Sequence, residues 1–150
     1  MTVLNTIGYE QATQGTMLDE LDRAGVRLVI DTRAVTSSRR PGFSKHQFAA
    51  ALDERGIAYV HLRALGTPKE GRLAARAGKT DVLERIYSRH LETPQAREEL
   101  DELAALVRSG KKLCLLCYER DPARCHRSFI ADRMKKRLGV TVEHLFCAPA

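Results

Sequence analysis

Tryptophan is absent from this 150-residue chain, and aromatic residues make up only 5% of it. A surface that grips nucleic acid by stacking successive bases on exposed rings draws on aromatics, so a base-stacking platform is disfavoured. No apolar run approaches the roughly 20 residues of a bilayer crossing, which argues against a membrane-spanning helix or a membrane partner. Residues 1–10 lack the basic-then-apolar layout of a signal peptide, and a cytoplasmic location is expected. Cysteine is scarce, with 4 in the chain, and no familiar zinc-ligand spacing is present. Cys114 and Cys117 have C-x-x-C spacing, but inside the apolar run Leu113–Tyr118, where a strand sends positions three apart to opposite faces. A thioredoxin-type motif opens a helix and does not fit there. In a reducing cytosol the cysteines are expected to be thiols. Acidic residues are missing altogether between Arg33 and Leu52, a stretch that holds Arg33, Arg39, Arg40 and Lys45.

What is present fits a soluble globular class: 43% hydrophobic, 29% charged, and a formal net charge of +6. The excess is uneven. Lys69, Arg72, Arg76 and Lys79 form a second basic group, and Arg133, Lys135, Lys136 and Arg137 a third. Local excess of this kind attracts phosphorylated ligands or polyanions. The third group falls late in an expected helix, where cations also complement the helix dipole, and reads as a solvated face.

Strand-like and helix-like segments alternate. Apolar runs at Val3–Tyr9, Val26–Ile30, Ile57–Leu62, Leu113–Tyr118 and Val140–Phe146 predict strands. Helices are predicted from Thr16 (as cap, with Asp19 as its partner) to Ala24 and from Ser44 to a stop at Gly56. Two more run through Val82–Leu91 and from the Thr93-Pro94 cap to Gly110, and a last one opens around Cys125–Ser128 and carries the stripe Phe129, Ile130, Met134 and Leu138. Arg63–Gly71, rich in Gly and Pro, predicts a loop. The pattern predicts one three-layer α/β domain, a mostly parallel sheet of about five strands with helices on both faces and Leu113–Tyr118 central.

In such sheets ligands bind outside the carboxyl ends of the strands. Asp31 and Arg33 end the second strand, His61 lies near the end of the third, and Cys117 and Glu119 end the fourth. Beyond Asp121-Pro122, Cys125, His126 and Arg127 open the last helix, whose free N–H groups and dipole favour an anion. Three readings compete there: an anion-binding turn, a nucleophilic thiol with His126 or Glu119 as base, and a buried cysteine with Arg127 paired to Asp31 or Glu119. A zinc site is disfavoured, since no familiar ligand spacing is present. Ser37–Lys45 is a second candidate, mixing hydroxyls, guanidinia and glycine ahead of a helix.

Thr6-Ile-Gly-Tyr9, Asp31-Thr-Arg33, Ser38-Arg-Arg-Pro-Gly-Phe-Ser-Lys45, His61-Leu62, Leu65-Gly-Thr-Pro-Lys69, Leu116-Cys-Tyr-Glu119 and Cys125-His-Arg127 occur in that order. Together they resemble the domain of unknown function 488 family, to which the YeaO-like proteins are related. The resemblance covers nearly the whole chain. It implies signature positions at Gly8, Tyr9, Asp31, Arg33, Ser38, Arg39, Phe43, Ser44, Lys69, Cys117, Glu119, Cys125, His126 and Arg127, and it implies no particular reaction. Members often carry a proline soon after Asp-x-Arg, where this chain reads Ala34-Val-Thr-Ser37.

The expectation is a shared pocket for a phosphate-bearing small molecule or nucleotide. Arg33, Ser38, Arg39, Lys45, Lys69 and Arg127 are expected to hold the anion, with Gly8, Tyr9, Phe43 and Ser44 shaping the walls. Asp31, Glu119 and His126 are the acid/base candidates, and Cys125 or Cys117 the nucleophile. No metal or cofactor is expected. The rival is a non-catalytic nucleic-acid-binding or regulatory module, and the oligomeric state is left open.

Overall fold

The computed structural model describes residues 2–148. Five strands, β1 (Val3–Gly8), β2 (Leu28–Asp31), β3 (Ala58–His61), β4 (Leu113–Cys117) and β5 (Thr141–His144), form one sheet in the order β3-β2-β4-β1-β5. Every pairing is parallel. The central position of β4 agrees with its unbroken apolar sequence, since a strand buried on both faces has no polar side to show.

Among the described residues six α-helices cover the sheet: α1 (Gln14–Arg23), α2 (Lys45–Glu54), α3 (Lys69–Arg76), α4 (Thr80–His90), α5 (Pro94–Arg108) and α6 (Arg127–Leu138). Strand alternation divides the core in two. Leu113 and Leu115 of β4 pack with Leu83, Tyr87, Leu103 and Ile130 from α4, α5 and α6. Cys114 and Leu116 face Met17, Leu21, Phe48 and Leu52 from α1 and α2. The result is the expected three-layer α/β arrangement. Among the described residues no helix is long and apolar enough to cross a membrane.

The two faces create a crevice. The chain leaves β1 and β2 toward the α1/α2 face but leaves β4, which lies between them, toward the face of α6. Opposed exits of this kind open a gap over the strand ends.

Three local expectations are corrected. The cap of α1 is Thr13, not Thr16. Thr13 and Thr16 form a reciprocal box in which each side-chain oxygen accepts the other's backbone N–H at 3.1 Å, and Asp19 is not part of it. Ser44 does precede α2 but makes no side-chain cap; its hydroxyl accepts the N–H of Ser38 at 3.0 Å instead and closes the intervening loop. The predicted loop Arg63–Gly71 holds a short 3-10 turn (Arg63–Leu65) and the start of α3. The buried face of α3 is built from Gly71 and Ala74, residues too small to register as an apolar stripe.

Candidate functional site

The crevice is a cleft of about 730 Å³ over the end of β4. Its polar lining comes from four segments. Tyr9 follows β1, Arg33 to Arg40 follow β2, Thr67, Arg72 and Arg76 come from α3 and its approach, and Cys117, Tyr118, Glu119, Arg124, Cys125 and His126 bridge β4 to α6. Six of the lining residues are arginines (Arg33, Arg39, Arg40, Arg72, Arg76 and Arg124) and one, Glu119, is a carboxylate.

The arginines have different duties. Arg33 is nearly fully buried and binds Asp31 in a fork, with Nε 2.9 Å from Oδ1 and Nη2 2.7 Å from Oδ2. Its Nη1 donates to the carbonyl of Phe43 at 2.7 Å and to the Tyr9 hydroxyl at 3.3 Å. Burial works against the Arg33 charge, but Asp31 outweighs it and holds the guanidinium pKa above its ordinary value. Asp31 is fully buried and also accepts from the Tyr59 hydroxyl. The pair that was read as anion binder and acid/base candidate thus sits as an internal clamp that ties β2 to the Phe43 turn. Arg40 donates to Ala12 O, and Arg72 to Thr67 O at 2.8 Å. Arg39, Arg76 and Arg124 lie exposed on the cleft and make no side-chain hydrogen bond or ion pair among the described residues.

Arg127 is placed differently from what its sequence position suggested. It is fully buried behind the cleft floor and does not line the cavity. Its Nη1 donates to Cys117 Sγ at 3.0 Å and to Glu119 O, and its Nη2 donates to Arg120 O at 3.1 Å. Nε has no partner among the described residues. Burial lowers its pKa to about 10. The guanidinium thereby holds the main chain after β4 in its turn. Gly8 makes room for the same turn: a Cβ on it would lie 1.8 Å from Glu119 O. Gly8→Ala is expected to displace residues 117–120 and lower stability by about 1–3 kcal/mol, a typical overpacking cost, read from urea unfolding.

Cys117 and Cys125 are bonded to each other as a disulfide, with Cα atoms 7.4 Å apart. This corrects the expectation that all the cysteines are thiols. The chain turns through Pro122–Arg124 and returns Cys125 to the end of β4, a proximity that an eight-residue separation does not show. Cys114 and Cys147 are free and buried. Cys125, expected to open the last helix, instead ends the Pro122–Arg124 turn in extended conformation; His126 precedes α6 without a side-chain cap hydrogen bond, and its Nε2 lies 2.9 Å from Thr32 O. A carbonyl can only accept, so Nε2 carries the proton and Nδ1 presents its lone pair, 3.6 Å from Cys125 Sγ. Burial lowers the His126 pKa to about 4. Glu119 Oε2 lies 3.7 Å from Cys117 Sγ, and burial raises its carboxyl pKa above the ordinary value.

The remaining candidates divide. Ser38 lines the cleft, and its hydroxyl accepts from Arg40 N at 3.2 Å. Phe43 is buried and stacks on Tyr9 with ring centroids 4.5 Å apart, making it a wall support. Ser44 acts on the loop as described. Lys45 points to His61, Nζ 3.5 Å from Nδ1, while His61 Nε2 donates to Arg33 O at 2.8 Å. Lys69 is exposed at the start of α3 and is not part of the lining. Arg72, Arg76, Arg124 and Tyr118 were not singled out from the sequence as site residues, and Arg40 entered only as part of the Ser37–Lys45 stretch. The basic group around Arg72 was noticed, but only a helix from Lys69 phases Arg72 and Arg76 onto one face.

The molecule is therefore a parallel α/β protein with an arginine-lined cleft over its central strand. The family model described as Domain of unknown function DUF488 matches residues 14–134, and the chain belongs to that family. The matched stretch includes every residue of the cleft lining except Tyr9. No curated protein and no solved structure matches the chain.

Proposed function

We propose that the cleft binds a phosphate-bearing small molecule, with a nucleotide as the best fit. The observation that carries this reading is the charge of the lining: six arginines against one carboxylate, with Arg39, Arg76 and Arg124 unengaged at its surface. Guanidinium forks match phosphate oxygens and exchange water for them at little geometric cost. Tyr118 is 45% and Val35 55% exposed, and both line the same cleft. They offer an apolar face to a base or sugar beside the arginines. Glu119, alone among the lining residues in being a carboxylate, is placed to exchange a proton with a bound ligand, and an enzymatic role follows if turnover is found.

Binding to the full-length chain is measured by calorimetry with inorganic phosphate, a sugar phosphate and a nucleotide. The nucleotide is expected to bind tightest, and Arg39→Ala and Arg124→Ala to weaken it about tenfold each by removing charge-assisted hydrogen bonds. Both residues are exposed, so melting should stay within about 0.5 kcal/mol of the parent. No saturable binding of any of the three would overturn the reading.

A nucleic-acid module is less well supported. Two of the late cations on α6 are already paired, Arg137 with Asp101 at 2.8 Å and Arg133 with Glu92 at 3.6 Å. A single-stranded oligonucleotide that bound as tightly as the mononucleotide, with affinity falling steeply with salt, would favour that module instead.

A further inference from the structure

We propose that in its reduced form the Cys117, Cys125 and His126 cluster is a three-ligand site for a thiophilic divalent cation, zinc above all, with its fourth position open to the cleft. The ligand atoms of these residues all lie within 4.8 Å of one another, and all three residues are buried. Tetrahedral zinc, with bonds of about 2.3 Å to sulfur and about 2.0 Å to nitrogen, places a sulfur and a nitrogen ligand about 3.5 Å apart and two sulfurs about 3.7 Å apart. Cys125 Sγ and His126 Nδ1 already stand 3.6 Å apart. The Cα atoms of Cys117 and Cys125 are 7.4 Å apart, wider than the roughly 4.4–6.8 Å usual for a bridge. Once reduced, the sulfurs can part to the metal-binding distance without moving the backbone.

The surroundings match what such a site needs. Thr32 O fixes the histidine tautomer that leaves Nδ1 free, the usual outer partner of a metal-binding imidazole. Arg127 donates to Cys117 Sγ, and the N–H of Arg127 points to Cys125 Sγ at 3.5 Å, so both sulfurs are held as acceptors, which favours thiolate. Among the described residues Arg127 forms no ion pair with a carboxylate. Two thiolates neutralise the cation's two charges, and the sulfurs remain hydrogen-bond acceptors for Arg127. Two sulfurs and an imidazole select zinc-like cations over magnesium or calcium. Cys117, Cys125 and His126 all face the cleft, the layout of three protein ligands plus an exchangeable fourth.

Loading is a balanced sequence. A phosphine reductant cleaves the S–S bond, taking up oxygen from water to become the phosphine oxide, and leaves two thiols. Each thiol then releases one proton as the cation binds. The disulfide is the metal-free, oxidised state of the same site.

The test titrates Co²⁺ into the full chain after anaerobic phosphine reduction. One equivalent is expected to bind with thiolate-to-cobalt charge-transfer bands and to be displaced by Zn²⁺. The oxidised chain should show no such bands, and Cys114→Ser with Cys147→Ser should leave them intact. Cys117→Ser and Cys125→Ser should abolish the bands, and His126→Ala, which removes the nitrogen ligand, should weaken binding at least tenfold. A readout that needs no variant is alkylation of the reduced chain by iodoacetamide, mapped by mass spectrometry. Zinc should shield Cys117 and Cys125 selectively. Equal alkylation with and without zinc, or no charge-transfer band in the reduced chain, overturns the proposal. Nucleotide binding by the oxidised, metal-free chain is measured separately, so that either reading can fail alone.

Discussion

Arg127→Met is expected to lower stability by about 2–5 kcal/mol, a fall of roughly 5–15 °C in melting temperature for a chain of this size. The guanidinium donates to two main-chain carbonyls, Glu119 O and Arg120 O, and to Cys117 Sγ. Methionine fills much of the volume of the fully buried side chain but leaves those half-buried acceptors without their donor, at up to about 1–3 kcal/mol for each unsatisfied group. Loss of a buried charge offsets part of that cost, which is why the range is wide. Arg127→Lys should lose nearly as much, because a single ammonium cannot reproduce a fork aimed at two carbonyls. An arginine that served only to hold a ligand would behave otherwise. Its removal would abolish binding and leave the melt unchanged, and that result would contradict the placement of Arg127 behind the floor.

The second large effect lies at the Asp31–Arg33 clamp. Asp31→Asn leaves a buried guanidinium without its counter-charge, which typically costs about 3–5 kcal/mol and here corresponds to roughly 10 °C in the melt. The effect should reach the cleft as well, since Arg33 holds Phe43 O and through it the Ser38–Lys45 loop that carries Arg39. Asp31→Leu with Arg33→Met should recover much of the stability, because an apolar pair of similar volume removes both desolvation costs. It should not recover ligand binding, since the Phe43 carbonyl loses its donor. Thermal and urea melts of the single and double variants check the first half, and calorimetry the second. A stability change under about 1 kcal/mol for Asp31→Asn would contradict the clamp.

The sheet was readable from the sequence chiefly through its inner strands, apolar runs such as Leu113–Cys117 bounded by Gly110 and by Asp121-Pro122, while the edge strands Ala58–His61 and Thr141–His144 are more exposed and more polar. The order of strands was not, since it depends on which face each crossover helix takes. α3 escaped notice because its inner face is Gly71 and Ala74, whose smallness serves close packing against Thr67 and Leu83 rather than apolar patterning. The site was legible as a set of segments. Asp31-Thr-Arg33, the Ser38 region, Cys117 to Glu119 and Cys125-His-Arg127 do converge at the ends of β2 and β4. Which side chains face the cleft and which support it was not legible. A charged residue reads the same in sequence whether it is solvated, as Arg39 and Arg124 are, or enclosed, as Arg33 and Arg127 are. The ligand-distance cluster of Cys117, Cys125 and His126 was hidden for a related reason. An eight-residue spacing has no fixed geometry until the Pro122–Arg124 turn folds it back.

The central claim is that the unengaged arginines over β4 receive the phosphates of a ligand. It is tested most directly by following the side-chain Nε–H resonances of a ¹⁵N-labelled chain while a nucleotide is added. Saturable shifts confined to Arg39, Arg76 and Arg124, with Tyr118 ring protons moving in step, are the expected result. Shifts centred on Lys135, Lys136 and Arg137 of α6, with the cleft arginines unmoved, would contradict it.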